Sequence, residues 1–268
     1  MRSVLPSLLL LVSSPLAISA QFVGFGGAVA EADMLYLAGR PRLAFETLQA
    51  HLAVDSTDYE ALWRAARAAV VVGFYENGSR VQNGWLDPAI RYANLAVELR
   101  PEGLEGVYWR GAATGRRALN ASPGYAVELA ERVYDDAHRI LAVDSLHGGA
   151  HNILGKLNYE IMSLSRVQRA FARAFMGNDA LDDASWENAE FHLARAAKVW
   201  PEFILFHSDL AELYRKRGRR EEAADSFRRV LEVPPVHPID QRMQAEARGL
   251  LEEWGEFGDS TTVESGSR

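Results

Sequence analysis

Apolar residues recur every three to four positions along nearly the whole chain from Ala28 onward, and no stretch keeps the alternation of a half-buried strand. The clearest period lies in residues 207–235. Leu210, Ala211 and Tyr214 share one helical face, Gly218 interrupts, then Ala223, Phe227, Val230 and Leu231 line a second helix that Pro235 stops. Upstream, the same succession predicts further pairs. Residues 31–38 end at Gly39–Arg40–Pro41 and are followed by 43–54; Ala32 and Leu35 mark the first helix, Ala44, Leu48 and Leu52 the second. Asp58 caps a helix over 59–75 whose stripe is Leu62, Ala66, Ala69 and Val70. Asn77–Gly78–Ser79 and Asn83–Gly84 mark an insertion, after which Asp87–Pro88 opens a helix to Leu99 carrying Ala89, Ala93 and Ala96. A last helix over 239–254 gathers Met243, Ala247, Leu250, Leu251 and Trp254 on one side.

Val54, Val97, Val143 and Lys198 hold corresponding places at the ends of second helices. Their spacings are uneven, and only the step from Lys198 to Glu232 has the standard period of about 34 residues. The order of large, small, aromatic, turn glycine, small, aromatic and proline over 207–235 is the pattern of tetratricopeptide (TPR) repeats. A small residue at a crossing lets two helix axes approach closely. The packing positions are Ala32, Ala66, Ala93, Gly155, Ala189, Ala211, Tyr214, Ala223 and Phe227. The predicted fold is all-α: a TPR-like α-solenoid over residues 31–254, of about four to five helical hairpins, with an inserted amphipathic helix and a C-terminal capping helix. Residues 255–268 read as a disordered tail.

The N-terminus changes the picture. Arg2, an apolar run at Leu5 and Leu8 to Val12, Pro15 and the small residues ending at Ala20 read as a secretory signal peptide over residues 1–20, cleaved ahead of Gln21. Residues 21–30 are then a flexible start of the mature chain. The alternative is an uncleaved N-terminal membrane anchor, although serines and prolines interrupt the run. The net charge of −7 speaks against nucleic-acid binding. The absence of cysteine removes disulfides and thiolate chemistry.

Within 147–235, His151–Asn152–Ile153–Leu154–Gly155 leads into Tyr159–Glu160–Ile161 and Ser163–Leu164–Ser165; an extra helix, Ala189–Glu190–Phe191–His192–Leu193, Ala196–Ala197 and Pro201–Glu202–Phe203 follow. This half of the chain resembles the regulator of microtubule dynamics family. The resemblance implies a TPR-like, non-enzymatic protein, with animal members linked to microtubules, to contacts between organelle membranes and, for some, to lipid in the groove.

Two sets of residues are candidates for function. Trp63, Arg64, Arg67, Tyr108, Trp109, Arg110, Lys156, Tyr159 and Phe206 fall on predicted first helices, which line the concave groove of such arrays. Phe74, Tyr75 and Phe203 belong to the same aromatic population, and most such residues serve packing. The second set is Arg166, Arg169, Phe171, Arg173 and Phe175, an arginine face beside an aromatic one with no acid between Ser163 and Asn178. It suits an anionic membrane surface or an acidic partner. The simpler reading, which amphipathic helices favour, packs Phe171 and Phe175 on the core and turns the arginines to water. The basic run from Arg215 to Arg220 compensates a helix C-terminus. His147 and His151 have a metal-ligand spacing but nothing to complete a site, and no catalytic or phosphate-loop motif is present.

The expectation is an exported, periplasmic or secreted, non-enzymatic binding module without a cofactor, holding a protein or peptide in its groove. A lipid or small-ligand carrier and a cytosolic microtubule-associated scaffold are the alternatives.

Overall fold

The computed structural model describes residues 27–176 and 178–256. The leader read at 1–20, the segment 21–26, the side chain of Phe175 and the tail beyond 256 lie outside the described residues. The described residues form thirteen helices and no strand: α1 (Ala28–Leu37), α2 (Pro41–Leu52), α3 (Tyr59–Tyr75), α4 (Ser79–Leu99), α5 (Leu104–Ala118), α6 (Pro123–Val143), α7 (Gly148–Ser163), α8 (Arg166–Met176), α9 (Asp179–Asp182), α10 (Trp186–Val199), α11 (Ile204–Lys216), α12 (Arg220–Glu232) and α13 (Asp240–Glu253). The pairs α1/α2, α3/α4, α5/α6, α7/α10 and α11/α12 pack as hairpins, α8 and α9 are inserted in the fourth, and α13 caps the last. The architecture is an all-α, TPR-like solenoid.

Small residues let the hairpins close. Ala32, Ala66, Ala93, Ala189, Ala211 and Ala223 are fully buried. At Gly155 a methyl group would stand 2.6 Å from Leu193 Cγ, so α7 and α10 meet backbone to side chain there. Phe227 is buried and Tyr214 half-buried in the C-terminal core. The turns at Gly39 and Gly218 repeat one design. Each glycine has positive φ, its N–H bonds the carbonyl three residues back, and the next N–H bonds one five residues back.

Three boundaries differ from expectation. α4 runs unbroken through the region read as an insertion, with Pro88 inside it. Trp85 packs edge-on to Phe45 at 5.4 Å and Leu86 is buried, so tertiary contacts hold the added turns. Asp87 is therefore no N-cap; it pairs with Arg117 at 2.9 Å. α1 starts at Ala28, inside the segment read as flexible. At the other end Gly255 turns α13 off with positive φ, and Glu256 pairs with Arg228, so the ordered domain reaches residue 256.

The solenoid closes on itself. After α12 the chain leaves helix and crosses, through Pro234, Pro235 and Pro238, to the first hairpin. The His237 ring stacks on Phe203 at 5.0 Å and meets Tyr36 of α1 at 6.5 Å. The Tyr75 hydroxyl donates to the Pro238 carbonyl, and Ile239 packs against the cores of both ends. Asp240 holds the turn by accepting from the N–H groups of Val236 at 2.9 Å and His237 at 2.7 Å.

Candidate functional site

The first helices α1, α3, α5, α7 and α11 lie side by side, and α13 continues the row. Their shared inner face carries most of the groove candidates, but those side chains already have partners. The Trp63 indole donates to Glu60 at 3.0 Å, and the Arg64 and Arg67 guanidiniums lie 4.0 and 5.3 Å from its ring centroid. Both arginines grip Asp33 of α1, Arg64 through Nε at 2.8 Å and Arg67 through Nη2. Burial opposes ionisation of Asp33, but these hydrogen bonds outweigh it and hold the carboxyl below its usual value. Arg67 also covers the Tyr36 ring at 4.0 Å, and burial pushes the Tyr36 phenol up to about 12. Tyr108 meets Trp109 edge-on at 4.9 Å and leaves room only for glycine at Gly149, where a methyl group would stand 2.5 Å from its ring. Lys156 reaches Asp209 at 3.3 Å and Glu160 at 3.6 Å, and lies 4.7 Å from the Tyr159 ring centroid. Asp209 also accepts from Asn152 Nδ2 at 2.9 Å.

Two candidates leave the groove. Arg110 turns back into its own hairpin and donates through Nε to Asp136 of α6 at 2.9 Å. Phe206 is 1 % exposed, stacked with Phe203 at 5.2 Å and with Trp200 at 6.1 Å, and is a core residue. Neither fate is visible in helical spacing, because spacing does not show which neighbours a side chain will meet. Conversely, Asp33, Asp209, Arg116 and the His237–Ile239 segment belong to the inner face and carry no motif. The density of prolines at 234–238 was the available signal for the last.

α8 reverses the simpler reading of its sequence. Val167 is 79 % exposed and Phe171 57 %, while Arg169 and Arg173 turn back onto the protein. Arg169 Nη1 donates to the carbonyls of Met162, at 2.9 Å, and Leu164, and Arg173 donates to the Leu181 carbonyl at 2.7 Å. They satisfy carbonyls at the end of α7 and in α9 that no helix bonds. Arg166 stays exposed. A cleft of about 600 Å³ opens nearby between α6 and Asn178, and another of about 390 Å³ lies beside the Gly39 turn. Neither is lined by any of the nine groove candidates.

The histidines serve the helix frame. His147 caps α7, its Nδ1 accepting from the Ala150 N–H at 3.0 Å. His151 turns elsewhere, so the pair does not converge. The Ser145 carbonyl, 3.1 Å away, can only accept, so His151 carries its proton on Nε2. Its Nδ1 then accepts from Nδ1 of His192 at 2.8 Å, a bond joining α7 to α10. Burial, and then the charges of neighbouring histidines, lower His192 to about 4. Among the described residues no three potential metal ligands lie together, and no helix is long and apolar enough to cross a membrane.

Comparison with known proteins places this geometry. A thermophilic TPR protein of Thermus thermophilus is similar to the chain with a TM-score of 0.59 at 21% identity, covering 84% of this chain and 97% of that one. MamA of Desulfovibrio magneticus RS-1 is similar with a TM-score of 0.42 at 17% identity, over 78% of this chain and 97% of that one. The first of these likenesses concerns the fold alone. No curated protein matches the chain at a significant level. The family model described as Regulator of microtubule dynamics protein 1-3 matches residues 28–255. That match spans every helix of the array, and the chain belongs to the regulator of microtubule dynamics protein family.

Proposed function

We propose that the protein is a non-enzymatic binding module whose inner face holds a proline-bearing peptide segment of a protein partner. One observation carries this reading: the face already holds a proline-bearing turn, residues 236–240, from the chain's own C-terminal part. His237 lies against Tyr36 and Phe203, and Tyr75 donates to the Pro238 carbonyl. Aromatic faces with a few hydrogen-bond donors suit a proline-bearing segment, since a proline offers its carbonyl as an acceptor, as Pro238 does to Tyr75. A partner segment of that kind would lie along the same row of first helices, toward Tyr108, Lys156 and Tyr159. The TPR-like fold and the family support a scaffold rather than a catalyst.

Selection of displayed random peptides on the full chain tests the reading. Selected peptides should bind wild type and lose about tenfold in affinity on Lys156→Glu, the scale of breaking a paired charge at an interface. Failure to select any peptide, or full binding by that variant, overturns it.

Export remains part of the proposal: the N-terminal leader supports a mature chain beginning at Gln21, which N-terminal sequencing of secreted protein reads directly. The family match favours a second reading, a cytosolic scaffold on microtubules. Co-sedimentation of the full chain with polymerised tubulin, together with an intact Met1, would select it.

A further inference from the structure

Arg116 stands apart from the other inner-face cations. It lies in the last turn of α5, half-buried, with its guanidinium carbon 4.2 Å from the centroid of Phe74 at the end of α3. Among the described residues no carboxylate reaches within 4.0 Å of it, and no side-chain or backbone acceptor bonds its N–H groups. The nearest acids are committed elsewhere: Asp209 to Lys156 and Asn152, Glu160 to Lys156. Arg242 of α13 faces the same Phe74 ring at 5.5 Å and spends its Nε on Glu246 at 2.9 Å. Burial lowers the Arg116 guanidinium below its usual value against the pull of Asp209 and Glu160, and Arg242 adds to the lowering. The arginine is therefore an under-compensated cation.

Stacking uses only the flat face of a guanidinium. Its five N–H donors point outward in the plane of the group, in the fork that matches a carboxylate or a phosphate. Other arginines of the array pair with carboxylates: Arg64 and Arg67 with Asp33, Arg110 with Asp136, and Arg117 with Asp87, although Arg67 Nε and Arg117 Nη1 stay buried without an acceptor. A planar donor edge held in place by an aromatic ring, at the inner face and beside a second cation, is a preorganised anion receptor.

We infer that Arg116, stacked on Phe74 with Arg242 at the rim, is an anion-binding subsite of the inner face that takes a carboxylate or phosphate group. This rests on the inner face being the binding surface and adds the chemistry of what it selects: a segment bearing an acidic side chain, or a phosphorylated one. The remaining aromatic row holds the chain, and Arg116 fixes its register through one bidentate contact.

The test titrates the full chain, by calorimetry, with an N-acetylated tetraglutamate amide, with the matching tetraglutamine amide and with inorganic phosphate. Tetraglutamate or phosphate binding with a silent tetraglutamine identifies the source of the anion. Arg116→Gln should weaken that binding about tenfold, the scale of one bidentate charged contact. It should leave the melting temperature unchanged or raised, because an unpaired part-buried cation is lost. A melting temperature that falls while anion binding persists makes Arg116 a packing residue and overturns the inference. So does the absence of binding by both anions. Peptide selection that succeeds with no dependence on Arg116 leaves the inner-face reading standing and removes the subsite. Phosphate binding that depends on Arg116, without any selected peptide, does the reverse.

Discussion

α8 and the α11/α12 hairpin are both amphipathic, α8 the more sharply, yet they use their two faces in opposite ways. In α11/α12 the apolar stripe is inside: Ala211, Ala223, Phe227 and Val230 are all buried. In α8 Val167 and Phe171 are exposed, and Arg169, Ala172 and Arg173 form the face that meets the protein. The difference lies in what each helix has beside it. α11 packs on α10, α12 and α13 and has apolar neighbours for its apolar residues, whereas α8 packs mainly on α6 and α9. There, the stronger local demand is the bare carbonyls of Met162, Leu164 and Leu181, which arginine can meet and phenylalanine cannot. Periodicity reports that a helix has two faces; the neighbours decide which one is covered.

The largest way to break the contrast is at a crossing. Ala211 is fully buried where α11 meets α12, and Ala211→Arg forces a long charged side chain into that contact. Overpacking and charge burial together should cost about 3 kcal/mol or more. Thermal unfolding of the full chain should show a clearly lower midpoint, and an unchanged midpoint would refute the helix frame described above.

What was legible follows from the same logic. The helices of 31–75 and the hairpin of 204–232 were readable because caps, turn glycines and small residues act locally: Asp58 accepts from the Ala61 N–H at 3.1 Å, and Gly39 and Gly218 turn as their sequence demands. The helical identity of 79–87 was hidden, because asparagine, glycine and proline argue locally for a loop while Trp85 and Leu86 gain their burial against α2 and α3. At the candidate site, spacing placed Trp63, Arg67, Tyr108 and Lys156 on first helices, but it could not show that Asp33 and Asp209 had already engaged the charges. The inward fold of 237–239 depends on contacts across the whole array, which no local window contains.

Acid should separate the two regions next. Burial lowers His147, His151, His192, His207 and His237, all in the array or its closing segment, and residues 164–185 contain no histidine. His237 faces Tyr36 of α1, Arg67 of α3, Phe203 before α11 and Asp240 of α13; of the charged groups, Arg67 disfavours its protonation and Asp240 favours it. The unfolded chain binds protons near the ordinary histidine value of 6.5, whereas folded His192 does so only near about 4. The stabilisation is therefore complete above about pH 6.5 and lost as pH falls toward about 4. Unfolding midpoints should drop steadily from about pH 7.5 to about pH 5 at constant ionic strength, and a flat profile would contradict the burial assigned to these rings. Hydrogen exchange over the same range, expressed as protection relative to intrinsic exchange at each pH, should show α7, α10 and the closing segment losing protection while α8 keeps its own.

The finest distinction lies within α8 itself. If its arginines hold it and its apolar stripe does not, then Val167→Ser should shift global stability by no more than about 0.5 kcal/mol, as for an exposed position without special contacts. Arg169→Met keeps the length and apolar stem of the side chain but removes the donors to Met162 and Leu164. Its effect should be local: stability changes by about 1 kcal/mol or less, while amides of α8 exchange faster than in wild type. The reverse ranking, with Val167→Ser loosening α8 and Arg169→Met leaving it intact, would mean that the stripe is covered in solution and the helix is turned as its hydrophobic pattern alone suggests. Because the two residues are two positions apart on one short helix, chain position cannot account for opposite outcomes, and the result bears on which face α8 uses to hold itself in place.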